Sequence, residues 1–284
     1  MHINNLKILL LLLLVSLFWG LGYPLMKITL LEIPVFTVLW IRFLFAALLM
    51  IPILKLKYLH ERKLLISGVI LGTTLFFSFA LIILGLERTT ATSTGFLSAL
   101  FILWVPLLST LFMKQSLQKN TLISIPVSLL GIFYLFDMQI SILHEGELLV
   151  MSGSLLTAIH ILLIEKYSKH YSSMELTFVQ FLVVTVWSIL LSLVSYHSIS
   201  IGPVSHQFII AMIVVVVFST LLAFWIQTKY QSYISPTQAA LIFNTEPLFS
   251  TLFAVLLLHE VLEKNIYIGG LLIMLSLFIS QKQK

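Results

Sequence analysis

The sequence predicts an all-α membrane protein, with ten transmembrane helices set out as a 5+5 inverted-topology repeat around a central cavity. Three observations lead there. Apolar residues make up 60% of the 284 and charged residues only 10%, against about 25% charged in a domain that faces water. Ten apolar runs approach the roughly 20 residues a helix needs to cross hydrocarbon. The string PLLSTLF at Pro106–Phe112 returns as PLFSTLF at Pro247–Phe253, six of seven positions alike, each near the end of the fourth run of its half. A duplicated unit with an odd number of spans inserts its two copies upside down relative to each other, the plan of many secondary transporters.

The runs cover residues 8–28, 35–54, 64–85, 90–113 and 121–136, then 146–165, 174–196, 207–228, 236–258 and 265–280. The first begins with Lys7 and the polyleucine stretch 9–14, as a signal peptide would. Apolar sequence continues through Trp19 and Leu25 without a small-x-small cleavage site, so it is expected to stay as a span. The second run carries Arg42. The third holds Gly68 and Gly72 at a spacing that lets helix backbones approach closely, expected here to serve internal packing. In the fourth and ninth, Pro106 and Pro247 each remove a backbone donor and free an upstream carbonyl, which marks a helix break. The fifth and tenth are short and open on Lys119–Asn120 and Lys264–Asn265. Arg42-Phe43-Leu44 in the second run parallels Gln180-Phe181-Leu182 in the seventh, and Lys27 and Lys166 each close the first run of a half. Two five-helix repeats result, 5–136 and 146–281.

Lysine and arginine set the orientation. With the N-terminus inside, twelve of the sixteen fall on the inner side; Lys27, Arg88 and Lys264 lie outside and Arg42 within a span. Both termini are therefore expected in the cytoplasm, with the chain in a cell inner (plasma) membrane. This asymmetry also explains the net charge of +5. No basic cluster alternates with aromatics on a polar face, so nucleic acid is excluded as a partner, and the lysine-rich loop 55–63 suits anionic lipid. Cysteine is absent, and so are HExxH, a Walker loop and GxSxG. An enzyme, a metal and a cofactor are not expected. Transport, if that is the activity, needs a gradient or a partner.

Glu246 is the acidic residue set well inside a run, between Thr245 and Pro247. A charge at the bilayer centre costs at least about 2.5–3.5 kcal/mol, so the residue must face a partner or a wet cavity. It is read as a proton-coupling or substrate-binding carboxylate, against a structural acid. By the 141-residue repeat its first-half counterpart is Val105. Arg42 lies roughly 10 Å deep and Glu246 nearer roughly 18 Å, at about 1.5 Å per residue. The two are candidates for a pair that substrate or a proton disrupts; the alternative is that Arg42 snorkels to headgroups. Trp19, Tyr23, Trp104, Gln180 and Asn244 are the candidates for lining the cavity, drawn from a longer set of intramembrane polar and aromatic residues that includes His160 and Gln227.

Lys229 through Pro247, with Ser235-Pro236-Thr237-Gln238 and Asn244-Thr245-Glu246-Pro247 inside it, resembles the ninth-span signature of EamA-type drug/metabolite transporters. Trp19-Gly20 followed by Lys27, Ile41-Arg42-Phe43-Leu44, and Ala91–Pro106 resemble the first, second and fourth spans of that family. The resemblance covers essentially the whole chain. It implies the 5+5 repeat and central cavity, and gradient-coupled or exchange transport, commonly export, of an amino acid, metabolite or drug. Metabolite uptake on the same fold is the alternative; a passive channel and a membrane-embedded enzyme rank behind it. Partners are then a small-molecule substrate, membrane lipid and, as candidate coupling ion, protons. Members often carry Gly-Glu after the fourth and ninth spans; here Met113-Lys114-Gln115 and Leu258-His259-Glu260 stand there, so only Glu260 is kept.

Overall fold

The computed structural model describes residues 5–113, 119–135, 144–199 and 201–281, and among them only helices and turns occur. Long apolar runs with little Gly or Pro leave the backbone no partner in hydrocarbon except itself, and the helix satisfies every interior amide. The first half contains α1 (Asn5–Leu30), α2 (Val35–Met50), α3 (Arg62–Arg88), α4 (Ala91–Ser98), α5 (Phe101–Met113) and α6 (Lys119–Leu135). The second contains α7 (Glu145–Ser168), α8 (Ser173–Tyr196), α9 (His206–Val214), a π-helical segment Val215–Leu222, α10 (Ala223–Tyr230), α11 (Pro236–Phe243), α12 (Glu246–Leu258) and α13 (Lys264–Gln281).

Among the described residues, seven helical stretches are long and apolar enough to cross a membrane: Leu6–Leu30, Val35–Ile53, Arg62–Arg88, Ala91–Phe112, Glu145–Ser168, Ser173–Tyr196 and His206–Tyr233. The other three expected spans are shorter elements. α6 has 17 residues, α13 is apolar over Lys264–Ser276, and the expected span 236–258 is divided at Asn244–Thr245 into α11 and α12. Apolar side chains such as Phe45, Leu49, Val194 and Ile210 stay half exposed or more on the outer faces, as lipid contact allows. The fully buried rings of Phe43, Phe76, Phe101, Phe181 and Phe243 fill the centre.

The ends of the elements obey local chemistry. Thr90 caps α4 by accepting from the Ser93 amide, and Ser205 caps α9 by accepting from Phe208. Ser235 and Gln238 form a capping box on α11, with Pro236 in the first turn where its missing amide costs nothing. His259 closes α12 with φ 54°, the left-handed conformation that the family's glycine would supply without strain. Beside it, Glu260 accepts from the amides of Ala91 and Thr92 and from the Thr92 hydroxyl, so the retained acid caps α4 from the other half. Lys114 and Gln115 lie outside the described residues.

Two chain breaks position the centre of the molecule. α4 and α11 are eight residues each, and α5 and α12 thirteen each. Pro247 directly succeeds the first residue of α12, whereas Pro106 lies five residues after Phe101, inside α5. Counted from the helix ends, Glu246 therefore corresponds to Phe101 and not to Val105. The repeated heptapeptide has slid by about one helical turn between the two breaks. Gly68 and Gly72 face α8, next to Val179, Gln180 and Val183, so this pair serves internal packing.

Candidate functional site

A cavity opens where α1, α2, α3, α7, α10 and the two broken helices converge. α1 lines it with Trp19, Gly22, Tyr23 and Met26, and α2 with Arg42. Leu75, Ser78, Phe79, Ile82 and Ile83 come from α3, and Ser98 and Phe101 from the α4–α5 break. Thr157 and His160 of α7, Phe224 and Gln227 of α10, and Glu246 at the start of α12 complete the wall. The cavity is small, about 50 Å³.

Arg42 is buried, 3% exposed, so it does not snorkel. Its Nε donates to Thr220 Oγ1 at 2.6 Å and its Nη2 to the Ser219 carbonyl at 3.0 Å. Both partners sit in the π-helical segment, a distortion of the kind that recurs at functional sites. The guanidinium carbon lies 4.7 Å from the Phe79 ring centroid and 5.3 Å from that of Phe43, so aromatic faces replace part of its lost hydration. The expected direct pair with Glu246 is not formed: the ion pairs among the described residues are Arg88–Glu145 and Lys169–Glu165. Arg42 and Glu246 share the cavity wall without forming an ion pair.

Glu246, 3% exposed, stands on the same cavity wall as Tyr23 of α1. The Tyr23 hydroxyl donates to Ser98 Oγ at 2.9 Å, and Ser98 in turn donates to the Gly95 carbonyl at 3.0 Å. A phenol has one proton, and here it is committed to Ser98.

His160 Nε2 lies 3.0 Å from Gln180 Oε1, while Gln180 Nε2 donates to the Leu176 carbonyl. With the amide so oriented, His160 donates from Nε2 and keeps Nδ1 as an acceptor. Gln180 thus stands behind the cavity and orients His160. Gln227 Oε1 and Trp19 Nε1 are buried and make no hydrogen bond; the Trp19 indole is wedged against Phe224 and Phe243 at 5.4 and 5.1 Å. Trp104 and Asn244 are not on the wall. Trp104 Nε1 donates to Ser154 Oγ at 3.1 Å, and Asn244 ends α11 at the break, buried with its Oδ1 unbonded. Sequence reasoning does not single out Ser98, Phe79, Phe101, Thr157, Phe224, Ser219 or Thr220. Only the intramembrane hydroxyls among them carry a signal.

The profile of the EamA-like transporter family matches residues 6–136 and again 144–281. The chain belongs to the EamA-like transporter family. An Archaeoglobus fulgidus protein named "Uncharacterized transporter" is 28% identical over 266 residues, covering 94% of this chain and 83% of that one. A crystal structure described only as that of a protein shares the fold, with a TM-score of 0.71 at 14% identity, over 98% of this chain and 97% of its own. This EamA-family chain is accordingly a multi-pass membrane transporter.

Proposed function

We propose that the chain is a proton-coupled secondary transporter of a small organic solute, built as a 5+5 inverted repeat of residues 5–136 and 146–281 and working outward across a cell inner membrane with both termini in the cytoplasm. The packing supports the repeat, because exchanging the halves preserves it. α6 packs on α13 and α2 on α8, each helix on its own counterpart. α3 against α7 is mirrored by the α9–α10 rod against α1, and α4 against α12 by α11 against α5. Phe43 and Phe181, at equivalent places in the parallel Arg42-Phe43-Leu44 and Gln180-Phe181-Leu182, meet edge to face at 5.5 Å.

The observation that carries the coupling is the buried Glu246 on the same cavity wall as the Tyr23–Ser98 hydrogen bond. In this reading an ionised Glu246 competes with Ser98 for the Tyr23 proton, and a protonated one leaves it in place. Ser98 is the last residue of α4 before the break. A proton lost or gained at Glu246 then weakens or restores a bond between α1 and the end of α4, a two-state element that a proton gradient can bias. A solute in the same cavity senses that change.

The test is uptake of a mixed metabolite and amino-acid panel by proteoliposomes under an imposed proton gradient, with wild type and Glu246→Gln side by side. Gradient-driven flux in wild type that is lost in Glu246→Gln, while solute exchange persists, supports the proposal. Flux indifferent both to the gradient and to Glu246 overturns it and returns Glu246 to a structural role.

A further inference from the structure

Resting on the reading of this cavity as the solute site, we infer that its ligand is a short-chain organic carboxylate, held on the free end of the Arg42 guanidinium. Four observations meet. First, a guanidinium presents two forked edges to a planar anion. The protein occupies one, the Nε–Nη2 side, with Thr220 Oγ1 and the Ser219 carbonyl. Nη1 makes no hydrogen bond to the described residues, which leaves the Nη1–Nη2 end free, and Arg42 lines the cavity. Second, the rings of Phe79 and Phe43 lie 4.7 and 5.3 Å from the guanidinium carbon, so part of its surroundings is aromatic and accepts no hydrogen bond, and the free donors are left for a ligand such as a carboxylate that takes two parallel N–H···O bonds.

Third, the charge has no counter-ion. Both partners of Arg42 are neutral, and no carboxylate lies within 4.0 Å of it among the described residues. A buried cation left without an anion is costly. A bound anion removes that cost and an amide or amine does not. Fourth, the space is small and mostly apolar. At about 50 Å³ it admits only a small solute, and Leu75, Ile82, Ile83 and Phe101 line it. A long or polyanionic solute has neither room nor a second cation to meet.

The experiment is binding in detergent, without a membrane or gradient, of propionate, propionamide, propylamine and chloride, read by isothermal titration and thermal shift. Propionate is expected to bind at least roughly tenfold more tightly than propionamide and propylamine, and chloride to compete weakly. Arg42→Lys keeps the charge but loses the fork, and is expected to weaken propionate by roughly tenfold; Arg42→Gln is expected to erase the preference over propionamide. If Arg42→Gln fails to fold, the wild-type panel and Arg42→Lys decide alone. Propionamide or propylamine binding as well as propionate overturns the assignment, and so does chloride competing on equal terms. The transport reading fails separately. Tight propionate binding without proton-linked flux removes the coupling and keeps this site. Proton-linked flux of a solute that is not a carboxylate does the reverse.

Discussion

Replacing Gly72 with alanine tests how a packing seam sets a site residue. A Cβ built on Gly72 would lie 2.7 Å from Val183 Cβ, 2.8 Å from the Gln180 carbonyl oxygen and 3.0 Å from Gln180 Cα. Ordinary contact begins near 3.4 Å, so α3 and α8 must part by about 0.4–0.7 Å to clear these contacts. Two of the three obstructing atoms are backbone and cannot rotate away. Overpacking of this kind costs about 1–3 kcal/mol. The displaced Gln180 also carries its Oε1 away from His160, and their 3.0 Å hydrogen bond stretches toward or past about 3.6 Å, where it is no longer a bond. That adds about 0.5–1.5 kcal/mol. The sum, about 1.5–4.5 kcal/mol, lowers the unfolding midpoint by roughly 3–18 °C, at roughly 2–4 °C per kcal/mol for a chain of this order of size. The assay is thermal unfolding in detergent, with Gly202→Ala as the control because its Cβ would meet nothing within 4 Å. Adding Val183→Ala to Gly72→Ala should recover little, since alanine keeps the obstructing Cβ and the Gln180 backbone stays in the way. A Gly72→Ala midpoint equal to wild type would refute the account of this seam.

The same contacts set three other outcomes. Tyr23→Phe removes the hydroxyl that donates to Ser98 on the wall beside Glu246 and is expected to make flux lose its dependence on the proton gradient, measured in proteoliposomes at matched and opposed pH. Trp104→Phe gives up one hydrogen bond, to Ser154, and should cost about 0.5–1.5 kcal/mol of stability with solute affinity unchanged in titration. Glu32, in the turn between α1 and α2, accepts from the Ser205 hydroxyl and amide, and these bonds hold its carboxyl below its ordinary value of 4.5. Because the folded value is depressed, its contribution is full above about pH 4.5 and fades as pH falls through the folded value. Glu32→Gln should therefore flatten the acid side of the stability curve in a pH series of thermal melts.

Legibility in the sequence depends on which interactions are local. Apolar runs define spans because hydrocarbon demands them, and seven of the ten expected spans return as full-length helices. Glu246 stood out because a carboxyl at that depth needs a reason, and Pro247 marked the α11–α12 break at Asn244–Thr245 to within two or three residues. Pro106 misplaced the matching break, since α5 runs through it and turns at Ala99–Leu100 instead. Arg42 was legible as a buried charge, but Thr220 was not legible as its partner. The two are 178 residues apart, and a π-helical segment within a β-branched run leaves no local pattern. Trp104 and Gln180 were recognised as polar groups at depth. Which way each side chain turns depends on Ser154 and His160, and such pairings exist only once the helices have met.

The central claim is that proton movement is coupled to solute movement through Glu246. The most direct measurement is the pH change in weakly buffered proteoliposomes when a transported solute is added with no gradient imposed. The account predicts a solute-dependent proton movement in wild type, proportional to solute flux and absent in Glu246→Gln. Solute flux in wild type with no accompanying proton movement would contradict it.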